Sequence, residues 1–194
     1  HGGQVLVSSA SRDLALDQLG DQIALVDLGE HRLKDLARPE RVYQLAHPDL
    51  PAAFDPLTSL DSIPNNLPLH LSTFIGRQDE LAALHALVTG NRLVTITGSG
   101  GAGKTRLALQ AAADLADRFG DGVWWVELAP LATGAEVPAA VAAAVGVRED
   151  GTTPAAELVA NRLAGTASLL VLDNCEHALD ASADLVGTLL ARCP

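Results

Sequence analysis

The sequence predicts an α/β protein whose larger part is a parallel sheet flanked by helices, preceded by a smaller α/β piece. Three observations carry this. Strand and helix signals alternate from residue 72 onward, as a parallel sheet with crossover helices requires. The run Leu169 to Leu172 is unbroken and apolar, the composition of a strand buried on both faces. Five of the ten prolines fall within residues 48–71, setting residues 1–47 apart from the larger part of the chain.

The elements run in order along the chain. In residues 1–47, "QVLVS" reads as a short strand. Ser9 to Leu19 reads as an amphipathic helix with Leu14, Leu16 and Leu19 apolar and Gly20 as its stop. "IALVDLG" and "ERVYQLA" are strand candidates on either side of the charged "EHRLKDLARP". Residues 48–71 carry Pro48, Pro51, Pro56, Pro64 and Pro68 and read as an extended linker, because proline lacks a backbone donor and disfavours helix before it. Its scattered leucines suggest packing along a domain surface. The larger part, residues 72–194, is expected to run helix 78–88, strand 92–97, helix 103–119, strand 122–128, helices 136–145 and 154–164, strand 168–172 and helix 178–192. No internal repeat is visible.

Composition limits the function classes. At 194 residues, 48 % apolar and 19 % charged, the chain can bury a substantial core. A net charge of −11 argues against direct nucleic-acid contact, which needs clustered Lys and Arg. No apolar run approaches the ~20 residues of a membrane span, and no signal peptide layout opens the chain, so no membrane partner is expected. Cys175 and Cys193 are too few for a disulfide framework, which fits a reducing cytoplasm. The chain has no methionine, opens on "HGGQVLVSS" and stops at "LLARCP"; the expectation is a piece of a longer protein.

The richest stretch is "LVTITGSGGAGKTRLALQ". Gly98-Ser99-Gly100-Gly101-Ala102-Gly103-Lys104-Thr105 fits G-x-x-x-x-G-K-[ST] without a mismatch. A loop that turns its N–H groups toward phosphate oxygens needs conformations that glycine alone adopts cheaply. The outgoing helix adds unpaired N–H groups and a positive dipole end. Lys104 would reach the β- and γ-phosphates and the Thr105 hydroxyl would join a Mg²⁺ shell. Gly98 through Arg106 are therefore the candidate nucleotide contacts. Leu107, Ala111, Leu115 and Phe119 form the apolar stripe of the outgoing helix, and Gly120 ends it. The bland alternative is a glycine-rich turn, but lysine is rare here, two against eleven arginines, and falls in the motif's lysine position.

"SLLVLDNCEH" supplies a second half. Asp173 ends the apolar strand at its carboxyl end, where ligands of open α/β sheets bind, and would hold the Mg²⁺. Asn174 comes next, where many ATPases carry a second acid; an amide cannot accept a proton. Glu176 is then the nearest candidate to orient water, and Asp173 and Glu176 are the candidate catalytic pair. The competing reading of Glu176 is a carboxylate at a helix N-terminus.

Through these motifs, residues 72–194 resemble the STAND class of AAA+-related P-loop ATPases, the NB-ARC-like switches. The resemblance lies in "FIGRQDEL", "TGSGGAGKTRLALQ" (Walker A), "VWWVELAPL" and "LLVLDNCEH" (Walker B), in that order. It implies nucleotide contacts from the Ile75 backbone and Arg77, although a plain helix N-terminus competes. It also implies that "VWWVELAPL" is the sheet's edge strand, with Trp124 and Trp125 as packing residues rather than a base-stacking platform. Residues 1–47 resemble the C-terminal end of a class III nucleotide cyclase domain through "HGGQVLVS" and "LGEHRLKDLARPERVYQL". Lys34 lies near a phosphate-contacting position of such enzymes, with a solvated loop lysine as the alternative. The catalytic residues of cyclases would lie upstream.

In families of this type a further strand inserts between the P-loop strand and the Walker B strand, and the resemblance places it beyond Pro194. The sheet is then expected to miss its central member, and the isolated chain to bind nucleotide weakly or fold poorly. The leading expectation is an ATP-binding, slowly hydrolysing regulatory switch in a bacterial signalling or transcriptional regulator. Its partners would be ATP or ADP, with Mg²⁺, and neighbouring domains of a parent chain, with oligomerisation left open. The alternatives are a fragment of a nucleotide cyclase regulated by its P-loop half, and a non-hydrolysing scaffold.

Overall fold

The computed structural model describes residues 3–20, 22–31, 39–54, 57, 63–68 and 76–193, which fall into two compact units. Both are mixed α/β.

The first unit contains β1 (Leu6–Ser8), α1 (Ser9–Ala15), β2 (Ala24–His31) and β3 (Glu40–Ala46). The strands make an antiparallel sheet in the order β1-β3-β2. Ser8 ends β1 and caps α1, its hydroxyl accepting the Ser11 N–H at 3.1 Å. The helix stops at Ala15 and tightens into a 3₁₀ turn over Leu16–Gln18, short of the expected Leu19. It buries none of its residues, so no packing extends it. Glu40 ties β3 to α1 by accepting from the Ser9 hydroxyl at 2.6 Å and the Ser9 N–H at 2.9 Å. A bulge between Asp27 and Gly29 shifts the register of β2, with Gly29 at φ 93°, where glycine is favoured. Lys34 lies outside the described residues.

The second unit contains α2 (Gln78–Gly90), α3 (Lys104–Asp114), β4 (Gly122–Glu127), α4 (Val137–Ala144), α5 (Ala155–Leu163), β5 (Ser168–Asp173) and α6 (Leu179–Arg192). β4 and β5 pair in parallel, from Gly122 opposite Ser168 to Glu127 opposite Asp173. α4, α5 and α6 share one core with this pair, built on Val126, Leu128, Val141, Val159 and Leu185. Leu81 and Leu84 of α2 pack on Leu107 and Ala111 of α3, with Val94 and Ile96 against them. Beyond the stripe read from the sequence, α3 also buries Leu109, Ala112 and the adjoining Ala116, while Phe119 is only half-buried. Contact on more than one side explains the alanines: small side chains let neighbours approach.

Two expectations about the sheet need correction. Residues 92–97 alternate inward and outward but form no ladder among the described residues, and a strand needs a paired neighbour. Leu169 to Leu172 are half-buried rather than buried, because among the described residues β5 has a ladder partner on one side only. β4 stands at the edge of this strand pair, as expected, and that edge is partly covered. Part of the proline-rich stretch runs parallel beside it, with Asn65 bridging Val123. The Val123 N–H donates to the Pro64 carbonyl at 2.9 Å. One step on, the Asn66 amide accepts from the Trp125 N–H at 2.6 Å and donates to the Trp125 carbonyl at 2.8 Å. A side chain thus continues the ladder where Pro68 leaves no backbone donor.

At the start of β4, Gly122 sits at φ 137° with the Trp124 indole against its Cα; a Cβ there would lie 2.5 Å from the ring. Trp125 is buried and Trp124 packs on the core, so neither offers an open stacking face. No helix among the described residues is long and apolar enough to cross a membrane.

Candidate functional site

The glycine loop from Gly98 to Gly103 lies exposed ahead of α3, and its shape results from its composition. Gly101 and Gly103 adopt φ of 75° and 78°, which side chains rarely tolerate. The Ala102 N–H donates to the Ser99 carbonyl at 3.2 Å, closing a tight turn. A Cβ on Gly100 or Gly101 would meet nothing within 4 Å, so the loop's outer side is open. Gly103 is the N-cap of α3 and makes no side-chain cap, which leaves first-turn N–H groups free of a capping side chain.

Lys104 and Thr105 open α3 on this loop. The Lys104 ammonium donates to the carbonyls of Gly98 at 3.0 Å and Ser99 at 3.3 Å, and lies 3.8 Å from the Glu176 carboxylate. It therefore arches back over the loop. The Thr105 hydroxyl donates to Asp173 Oδ1 at 3.0 Å, across 68 residues of sequence. Arg106 is half-buried on the same turn.

β5 delivers Asp173 to the carboxyl end of the strand pair. Asn174 then takes the left-handed conformation, φ 60° and ψ 49°, which Asn tolerates better than most residues. Its identity thus has a backbone reason. Glu176 stands in the 3₁₀ turn Cys175–Ala178 that precedes α6, not in the helix itself, and its exposed carboxylate faces Lys104. Burial pushes the Cys175 thiol up, helped by the nearby Glu176 and Asp173 charges. Cys175 is therefore no thiolate nucleophile at neutral pH.

Arg77 reaches the loop from the other side. It caps α2 at φ 58°, and its Nη1 donates to the Ala102 carbonyl at 2.8 Å. Ile75 lies outside the described residues. Sequence reasoning did not single out Glu127, the exposed last residue of β4, which stands in register opposite Asp173. A carboxylate closing "VWWVE" was the available signal, of the same kind that marked Asp173.

The arrangement gathers exposed backbone donors, one ammonium, one hydroxyl and carboxylates at a strand end. Such a site suits a polyanion held with a hard cation. Among the described residues no three His, Cys, Asp or Glu side chains converge into a metal cluster. A cation here would take few protein ligands, Thr105 and Asp173, and rely on the anion and water for the rest, the usual habit of Mg²⁺.

No family model and no solved structure matches the chain. Among curated proteins, it is 38 % identical over 133 residues to an uncharacterised protein of Mycobacterium tuberculosis, covering 69 % of this chain and 34 % of the relative. It is 44 % identical over 111 residues to a protein of the same organism provisionally named an HTH-type transcriptional regulator, covering 57 % of this chain and 12 % of the other. A further uncharacterised protein, from Mycobacterium bovis, is 46 % identical over 83 residues, 42 % of this chain and 29 % of its own length. The chain thus spans about a third or less of the relatives it matches.

Proposed function

We propose that the second unit is a P-loop nucleotide-binding module of the STAND type, binding Mg·ATP as a regulatory switch within a larger bacterial signalling or transcriptional regulator. The observation that carries it is the 3.0 Å contact between Thr105 and Asp173, which joins the two halves of the motif set at the glycine loop. In this reading the amides of Gly98 to Arg106 and the Lys104 ammonium hold the phosphates. Thr105 and Asp173 flank the cation, which supplies charge neutralisation when bound. The likeness to a protein provisionally named a transcriptional regulator favours a regulatory context. The first unit, in the same reading, is the closing part of a cyclase-like domain, and the protein works in the cytoplasm.

Thermal shift of the chain extended past Pro194, with millimolar Mg·ATP, tests the reading. Binding at a hundredfold excess over Kd stabilises by about 2.7 kcal/mol. Wild type should shift and Lys104→Ala should not. An equal shift in both, or none in either, would count against the proposal.

A second reading, a switch that binds without turning over, is favoured by Asn174, an amide that cannot accept a proton where a second acid would stand. Phosphate release separates the two. Slow turnover lost in Glu176→Gln supports hydrolysis with Glu176 orienting water; no turnover in wild type supports a binding-only switch.

A further inference from the structure

We infer that Arg77 is a positioning residue for the glycine loop, acting through the Ala102 carbonyl rather than through the base of a nucleotide. The inference rests on the nucleotide-binding reading above and gives Arg77 a different task from the direct contact that family resemblance implies.

Four features converge on it. Gly76 and Arg77 are both left-handed, at φ 78° and 58°, so the chain turns sharply into α2. Such strain in a non-glycine residue persists only where its surroundings fix it. The guanidinium spans 25 residues to donate to the Ala102 carbonyl at 2.8 Å. Its Nε donates to Glu80 Oε1 at 3.2 Å, which sets the plane of the fork from the first turn of α2. The neighbouring loop residue is Gly103, where a Cβ would stand 3.3 Å from Arg77 Nη1; glycine keeps the approach open.

The consequence is a matter of peptide geometry. The Ala102–Gly103 bond is trans, like every described peptide bond, so its C=O and N–H point in opposite directions. Holding the Ala102 carbonyl on the Arg77 side therefore turns the Gly103 N–H to the other side. That N–H belongs to the set of loop donors available to phosphate. α2 is a firm anchor, because Leu81 and Leu84 pack on Leu107 and Ala111 of α3. Arg77 closes a ring from α2 through the loop to α3, and the loop enters binding already oriented.

Calorimetric titration of the chain extended past Pro194 with ATP, GTP and inorganic tripolyphosphate, each with Mg²⁺, tests this role. Arg77→Ala should weaken all of them alike, by about tenfold, the scale of one charge-assisted hydrogen bond. The ATP-to-GTP ratio should stay unchanged. Arg77→Lys, which keeps a donor, should recover part of the loss. Glu80→Ala, which frees the fork without touching the left-handed backbone, should weaken all in the same direction, and serves if Arg77→Ala disturbs the fold. Loss confined to the nucleotides with tripolyphosphate spared would make Arg77 a base or sugar contact and overturn the inference. So would unchanged affinity in both alanine variants. A wild type that binds none of the probes sinks the nucleotide reading and this role together; binding that the variants leave intact sinks this role alone.

Discussion

Thr105 and Asp173 meet through one hydroxyl and one carboxylate oxygen, and in the proposed function the same two groups flank a cation. Thr105→Val keeps the shape and removes the oxygen. Its affinity for ATP in EDTA should match wild type, while the gain on adding Mg²⁺ should fall by about tenfold or more; a full Mg²⁺ response in a magnesium titration would refute the assignment. Gly122 is a residue-scale case of a different kind. Its φ of 137° and the indole 2.5 Å from a would-be Cβ make alanine costly twice over, in backbone strain and in overlap with a packed ring. Gly122→Ala should destabilise the second unit by about 3 kcal/mol or more, read from the tryptophan-monitored urea midpoint. These two positions differed in legibility. The motif marked Thr105 because its demand is local, whereas nothing around Gly122 in the sequence announced that a tryptophan two residues on would fold back over it.

At the scale of elements, the edge of β4 is covered by the Pro64 backbone at Val123 and by one side chain at Trp125. Asn66 makes both backbone hydrogen bonds to Trp125 that a neighbouring strand would have made. Asn66→Ala should cost about 1–3 kcal/mol, the penalty for leaving inward-facing backbone groups without partners. Hydrogen exchange at the Trp125 amide should accelerate with it; a Trp125 amide as protected as in wild type would show that the segment does not hold the edge. The helices were readable because their periodicity lies within the helix itself, although α1 and α3 end at Ala15 and Asp114, short of the glycines taken as their stops. The strand expected at 92–97 was readable as an alternating run, but pairing is a property of two segments, and its sequence carries no statement about the second. The same reasoning applies to Asn66. Between Pro64 and Pro68 it reads as linker, and only contact with β4, 59 residues away, makes it part of a sheet.

At the scale of the whole molecule, the net charge of −11 makes carboxylates the main titrating groups under acid conditions. Several are held below their usual range in the folded chain. Hydrogen bonds from the Ser9 hydroxyl and then the Ser9 N–H depress Glu40. The Arg41 side chain and the Gly29 N–H do the same for Asp27. Asp150 is held far below by the N–H groups of Thr153 and Thr152. Each binds a proton more readily when unfolded, so each adds stability that is present above its unfolded value and lost as pH falls through the folded one. For Glu40 the decline begins near 4.5 and runs downward. Glu40→Gln should therefore flatten the acid side of the first unit's stability curve. Tyr43, the only tyrosine, sits in β3 and supplies a single set of ring signals for tracking it by NMR. An unchanged pH dependence would mean the Ser9 contacts are not maintained in solution.

The sequence by itself determined the mixed α/β class, the order of most elements, and the glycine loop with its lysine and threonine. Each of these is written in signals a few residues long: periodicity, caps, and conformations that only glycine adopts at low cost. Tertiary structure decided which groups meet. Thr105 reaches Asp173, Arg77 reaches Ala102 and Asn66 reaches Trp125 across 68, 25 and 59 residues. Such contacts arise only once packed helices and a paired sheet have fixed where each side chain begins, because a hydrogen bond fails with an ångström of displacement while hydrophobic burial tolerates it.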